Sequence, residues 1–122
     1  MINLLWVALG GAIGASARYG VTVMLANATK AFPFATLTVN IVGSFVLALL
    51  FCWQVQQESS NSQIWLLLGV GVLGAFTTFS TFALDGVLLV QQGAWLKAAL
   101  NILLNVIGCM AAVGPAMWIM KP

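Results

Sequence analysis

Four apolar runs, each close to the length a helix needs to cross a lipid hydrocarbon core, follow one another along this chain with hardly a charge between them. A core of ~30 Å takes about 20 predominantly apolar residues in helical form. The charged side chains are Arg18, Lys30, Glu58, Asp85, Lys97 and Lys121, 5% of the sequence. A soluble domain carries about 25%, so this chain lacks the polar surface to face water on all sides. The pattern predicts an all-α integral membrane fold, a single four-helix transmembrane domain over residues 1–122. Its helices are expected over residues 2–25, 33–53, 64–90 and 95–120. Trp6, Trp53, Trp65, Trp95 and Trp118 fall near the expected helix ends, where aromatic belts form.

Chemistry that the inventory excludes narrows the function. The chain has no histidine, and its carboxylates Glu58 and Asp85 are far apart in sequence. Cys52 and Cys109 sit in different apolar runs and read as buried small side chains. No catalytic constellation remains, so an enzyme is not expected. The net charge of +2, without a basic cluster, gives no reason to expect nucleic acid. Ala15-Ser16-Ala17 resembles a signal-peptide cleavage site, but no Lys or Arg precedes Arg18, so the first run reads as a retained helix. Pro33 suits the first turn of the second helix, where its missing amide hydrogen is harmless. The polar stretch over residues 54–63 is expected to be a solvent loop.

The third run is the unusual one. As one helix, residues 64–90 would reach ~40 Å at ~1.5 Å per residue. Its middle reads Gly74-Ala75-Phe76-Thr77-Thr78-Phe79-Ser80-Thr81-Phe82. Clustered Thr and Ser favour caps over helix interiors, so two half-helices with an unwound segment over residues 74–78 are expected, broken mid-membrane. Irregular backbone at that depth must line a cavity or be buried in protein. In helix 1, Gly10, Gly14 and Ala17 recur at helical spacing, with Gly11 and Ala15 beside them; such stripes allow close helix packing.

Polar residues at membrane depth usually face a bundle interior or a watery path. Here they are Ser16, Arg18, Asn40, Ser44, Thr77, Thr78, Ser80, Thr81, Asn101 and Asn105. A half-helix N-terminus carries positive dipole density, hydroxyls donate hydrogen bonds, and aromatic ring edges are positive. Together these features point to a pore or carrier for a small ion, an anion by preference. One chain is too small to enclose such a path, so a homodimer is expected. Basic side chains are divided one against three, Lys121 on the N-terminal side and Lys30, Lys97 and Arg18 towards the other, or two against three with the terminal amine. So weak a bias permits insertion in both orientations, hence an antiparallel dual-topology homodimer.

Three segments carry a family resemblance that spans essentially the whole chain. Gly10-Gly11-Ala12-Ile13-Gly14-Ala15-Ser16-Ala17-Arg18-Tyr19 resembles the opening motif of the Fluc/CrcB fluoride ion channel family. Thr38-Val39-Asn40-Ile41-Val42-Gly43-Ser44-Phe45 resembles its second-helix motif, and residues 74–82 resemble its most specific signature. The resemblance implies passive, fluoride-selective export through pores in an antiparallel homodimer, in the bilayer of a bacterial inner (plasma) membrane. It implies a structural Na⁺ at the dimer centre, held by the backbone carbonyls of Gly74 and Thr77. It places Phe79, Phe82, Asn40, Ser80, Thr81 and Asn105 along the fluoride pore and Arg18 in an aqueous vestibule. Asn101 and Asn105 fall where the family's fourth helix carries a polar track, although relatives often have hydroxyls there. Asp85 departs from the Glu of many relatives and is left outside the core site. The rival reading, a small dual-topology proton-coupled multidrug exporter, needs a carboxylate buried in helix 1, which this chain lacks. A non-transporting accessory subunit would leave the hydroxyl–phenyl break unexplained.

Overall fold

The computed structural model describes residues 1–58 and 61–121. Among them the regular elements are all helical, and four spans are long and apolar enough to cross a membrane: Ile2–Met24, Phe34–Gln56, Ser62–Gln91 and Trp95–Ile119. Helix α1 is Ile2–Met24, and the single turn Ala26–Thr29 leads from it towards α2, Phe34–Gln56. Helix α3 begins as Ser62–Ile64, continues as nine residues of π-helix, Trp65–Leu73, and returns to α form over Gly74–Phe76. Helix α4 is Phe79–Gln91 and α5 is Trp95–Ile119.

Local chemistry sets the ends. Pro33 is the residue before α2, with φ −73°, rather than the first residue within it. The α2 helix runs past Trp53 through Gln54 and Gln56, so the polar stretch is a shorter loop than expected. Glutamine is a good helix former, and the Gln56 side-chain amide donates to the Met120 carbonyl at the end of α5. Ser59 and Ser60, also in that stretch, lie outside the described residues. Asn61 caps α3: its side-chain oxygen accepts from the amides of Gln63 (3.0 Å) and Ile64 (3.3 Å). Gly93 ends α4 with φ +74°, a left-handed setting that favours glycine. Ala94 N–H then reaches back to Leu89 O at 2.9 Å and Gly93 N–H to Val90 O at 3.0 Å.

Packing divides the bundle into two tight associations. Helix α1 lies along the π-helical part of α3, and α5 lies along both α2 and α4. Glycine explains the first. A Cβ on Gly10 would fall 2.8 Å from the Gly71 Cα, and one on Gly14 would fall 2.8 Å from the Val72 carbonyl carbon. Both are backbone atoms, so α1 and α3 touch main chain to main chain, as small-residue stripes permit in membranes. Gly11, on the neighbouring face, meets nothing within 4 Å. Outward faces are apolar: Leu5, Leu9 and Ile13 on α1 and Ile102, Leu103 and Ile107 on α5 are all exposed. Of the tryptophans, Trp53, Trp95 and Trp118 are exposed, while Trp65 packs over Gly69.

Candidate functional site

The third span breaks at two residues. Thr77 (φ −82°, ψ 156°) and Thr78 (φ −152°, ψ 115°) are extended, while Gly74–Phe76 stays helical. The unwound segment is thus narrower than residues 74–78, because threonine rather than glycine interrupts the helix. Thr77 closes α3: its amide and its hydroxyl both donate to the Leu73 carbonyl, each at 3.1 Å. Thr78 opens α4, its hydroxyl oxygen accepting from the Thr81 amide at 3.2 Å. That hydroxyl also donates to Thr81 Oγ1 at 3.1 Å and lies 3.2 Å from Ser80 Oγ.

A broken helix leaves backbone groups to satisfy. Asn40 on α2 takes two of them: Thr78 N–H donates to Asn40 Oδ1 at 2.8 Å, and Asn40 Nδ2 donates to Thr78 O at 3.1 Å. The side chain thereby pairs with Thr78 as a neighbouring strand would. In a continuous helix the Thr78 amide would bond to Gly74 O; here that carbonyl loses this partner. The Thr77 carbonyl accepts no hydrogen bond among the described residues. Carbonyl oxygens are hard donors of the kind that hold Na⁺-like cations at unwound helices, the donor chemistry that the family pattern implies for Gly74 and Thr77.

From Asn40 the polar contacts run on into α5. Asn40 Nδ2 donates to Asn105 Oδ1 at 2.9 Å. Asn105 Nδ2 donates to the Asn101 carbonyl at 2.9 Å and to Asn101 Oδ1 at 3.0 Å. Asn101 Nδ2 donates to the Phe82 carbonyl at 3.3 Å. All three asparagines are buried, Asn101 completely.

The two phenylalanines of α4 differ sharply in exposure: Phe79 is 77% exposed and Phe82 is 8%. Their rings meet edge to face, with centroids 5.2 Å apart and planes at 75°. Both line a cavity of about 340 Å³ that also takes in Asn40, Ser44, Thr77, Thr78 and Asn105. They also border an apolar groove of about 530 Å³ between α4 and α5. Arg18 lies on another side of the break, where its Nε donates to the Ala75 carbonyl at 3.0 Å. It shares a narrow crevice with Thr78 and Thr81. The structure therefore gathers Arg18, Asn40, Thr77, Ser80, Thr81, Phe79, Phe82 and Asn105 around one break, with Gly74 a turn before it.

One partner escapes the sequence reading. Thr36 Oγ1 donates to Asp85 Oδ2 at 2.8 Å, and Asp85 lines a polar pocket with Lys30 and Lys97. The signal was available: Thr36, Asn40 and Ser44 recur every four residues, the spacing of one helix face.

Four membrane-crossing helical spans, one of them broken beside a gathered polar set, define a multi-pass membrane protein. Helix breaks of this kind are known where backbone atoms of a membrane protein must face an ion. The chain belongs to the CrcB family: residues 5–117 match the family described as CrcB-like protein, Camphor Resistance (CrcB). A protein of Idiomarina loihiensis named fluoride-specific ion channel FluC is 57% identical over 118 residues, covering 96% of this chain and 91% of its own. Proteins with the same name from Shewanella woodyi and Alteromonas mediterranea are 50% and 49% identical. The match covers 93% and 95% of this chain, and 91% and 92% of theirs.

Proposed function

We propose that this chain is one subunit of a fluoride-selective channel, in which two antiparallel copies in a bacterial inner membrane form the fluoride pores. The family membership and the names of its relatives support fluoride as the ion. The observation that carries the geometric argument is Phe79: a phenyl ring 77% exposed at the first residue of α4, edge-on to Phe82 and beside the hydroxyls of Thr78, Ser80 and Thr81. Ring edges and hydroxyl protons both offer partial positive charge to an anion, and the N-terminus of α4 adds its dipole. None of these groups carries a full charge that would trap the ion.

The break lies mid-membrane, where exposed polar backbone must be covered. A second copy covers it in this reading and buries Phe79. The carbonyls of Gly74 and Thr77, doubled by the second copy, hold a structural Na⁺. Arg18 lends positive potential to the approach. The inside-negative potential, worth ~2.3 kcal/mol per charge per 100 mV, drives the anion outward, so no coupled ion or nucleotide is required. Helix α1 offers no carboxylate for proton coupling.

The test is efflux from fluoride-loaded liposomes carrying the purified dimer, followed with a fluoride electrode while a potassium ionophore discharges the voltage. Fast fluoride release with negligible chloride release from matched vesicles is expected. No release from verified dimers would overturn the proposal.

A further inference from the structure

The family resemblance places Asn40 and Asn105 along the ion's path and Asn101 on the same polar track. Their hydrogen bonds leave them little to offer. Both Nδ2 hydrogens of Asn40 are engaged, by Thr78 O and Asn105 Oδ1. Both hydrogens of Asn105 are engaged, by the carbonyl and the side-chain oxygen of Asn101. Neither residue keeps a hydrogen for an anion.

The direction of the chain of bonds is fixed from both ends. The Thr78 amide can only donate, which turns Asn40 Oδ1 towards it, and the Thr78 carbonyl can only accept, which claims Asn40 Nδ2. At the far end the Phe82 carbonyl can only accept, which claims Asn101 Nδ2 and turns Asn101 Oδ1 towards Asn105. Asn105 must then present its oxygen to Asn40. Flipping any one amide would set oxygen against oxygen or hydrogen against hydrogen. The chain of bonds leaves Thr78 and returns to Phe82, the two ends of the first turn of α4.

We propose that Asn40, Asn105 and Asn101 form a saturated amide clamp around the Thr78–Phe82 turn, with Asn101 and Asn105 positioning Phe82 rather than binding the ion. The clamp holds the α4 backbone at a fixed rotation against α5, and that rotation aims the Phe82 ring at Phe79. Its part in conduction rests on the channel reading above; its part in holding Phe82 does not.

The experiment labels Phe82 alone with 4-fluorophenylalanine in the purified dimer and records its ¹⁹F resonance, alongside fluoride and chloride efflux, for wild type, Asn101→Leu, Asn105→Leu and the double variant. The wild type should give one narrow line. In each variant the line should shift and broaden, and fluoride efflux per dimer should fall by about tenfold or more, equivalent to about 1.4 kcal/mol. The double variant should be no slower than the slower single one, because each substitution opens the same clamp. A ¹⁹F line unchanged in both single variants would overturn the clamp. So would flux losses that multiply in the double variant, the mark of two independent ligands. Should Asn101→Leu fail to assemble, Asn101→Ser, too short to reach the Phe82 carbonyl, is read by the same criteria. Absent fluoride flux in the wild type would defeat the channel reading, while the ¹⁹F comparison would still decide the clamp.

Discussion

Gly14→Ala adds one methyl group at a point where two backbones touch. Its Cβ would overlap the Val72 carbonyl oxygen and lie 2.8 Å from the carbonyl carbon and 3.0 Å from the Cα, where ordinary contact begins at 3.4 Å. All three are main-chain atoms, so no side-chain rotation relieves the overlap, and α1 must withdraw by about 1 Å from a close-packed neighbour. Overpacking of this kind costs ~1–3 kcal/mol. One turn further along α1, Arg18 Nε holds the Ala75 carbonyl at 3.0 Å; stretching that bond adds ~1 kcal/mol or more. Against this stands the gain of replacing glycine inside a helix, up to ~1 kcal/mol. At Gly11 and Gly20 a Cβ meets nothing within 4 Å, so there Ala should bring only the gain. The last two terms roughly cancel, so the net expectation is a loss of ~1–3 kcal/mol for Gly14→Ala and a neutral or slightly stabilising effect at Gly11 and Gly20. Denaturant unfolding in detergent micelles, read by tryptophan fluorescence, measures the difference. If Gly14→Ala unfolds at the same midpoint as Gly11→Ala, the backbone contact between α1 and α3 is not what the packing implies.

Asn40→Leu should leave the Thr78 amide and carbonyl and the Asn105 side-chain oxygen without partners. At ~1–3 kcal/mol for each buried orphan, its thermal unfolding in detergent should drop more than that of any exposed Leu→Ala change; an unaltered midpoint would show that Asn40 does not hold the break. Phe79→Ile and Phe82→Ile should each slow or abolish fluoride efflux while size-exclusion still reports a dimer, and wild-type flux in both would remove the ring-edge argument. Thr77→Ala should be mild, within about 1 kcal/mol in stability and with Na⁺ dependence retained, because the proposed ligand is the backbone carbonyl. Complete loss of Na⁺ binding in that variant would count against the assignment. Thr36→Val removes the only hydrogen-bond donor to Asp85 among the described residues and should lower stability by about 1 kcal/mol. An unchanged unfolding midpoint would mean that water serves the carboxylate equally well.

Much of the site was legible because few residues could be anything else. In a chain with 5% charged residues, Arg18, Asn40, Asn101 and Asn105 stand out, and hydrocarbon forces such groups inward. The helix interruption was legible from the run of Thr and Ser, though its centre was not. Glycine near position 74 suggested unwinding there, yet the helix continues through Gly74–Phe76 and gives way at Thr77 and Thr78. The π-helical stretch Trp65–Leu73 left no trace in the sequence. When a segment is apolar on every face, its period is invisible, so α and π winding read alike. The Thr36–Asp85 bond was missed because the two residues are 49 positions apart, and only the approach of α2 to α4 joins them.

The sequence by itself determined that this chain has four runs long and apolar enough to cross a membrane and that the third is interrupted. Both follow from local quantities: the length of each apolar run against the thickness of a bilayer, and the preference of Thr and Ser for helix caps. Only the tertiary structure decided what each polar group does. Asn40, Asn105 and Asn101 lie on α2 and α5, and no spacing within either helix reveals that their amides close a chain of bonds around the first turn of α4. A hydrogen bond depends on angstroms between groups far apart in sequence, and those distances exist only once the helices have packed.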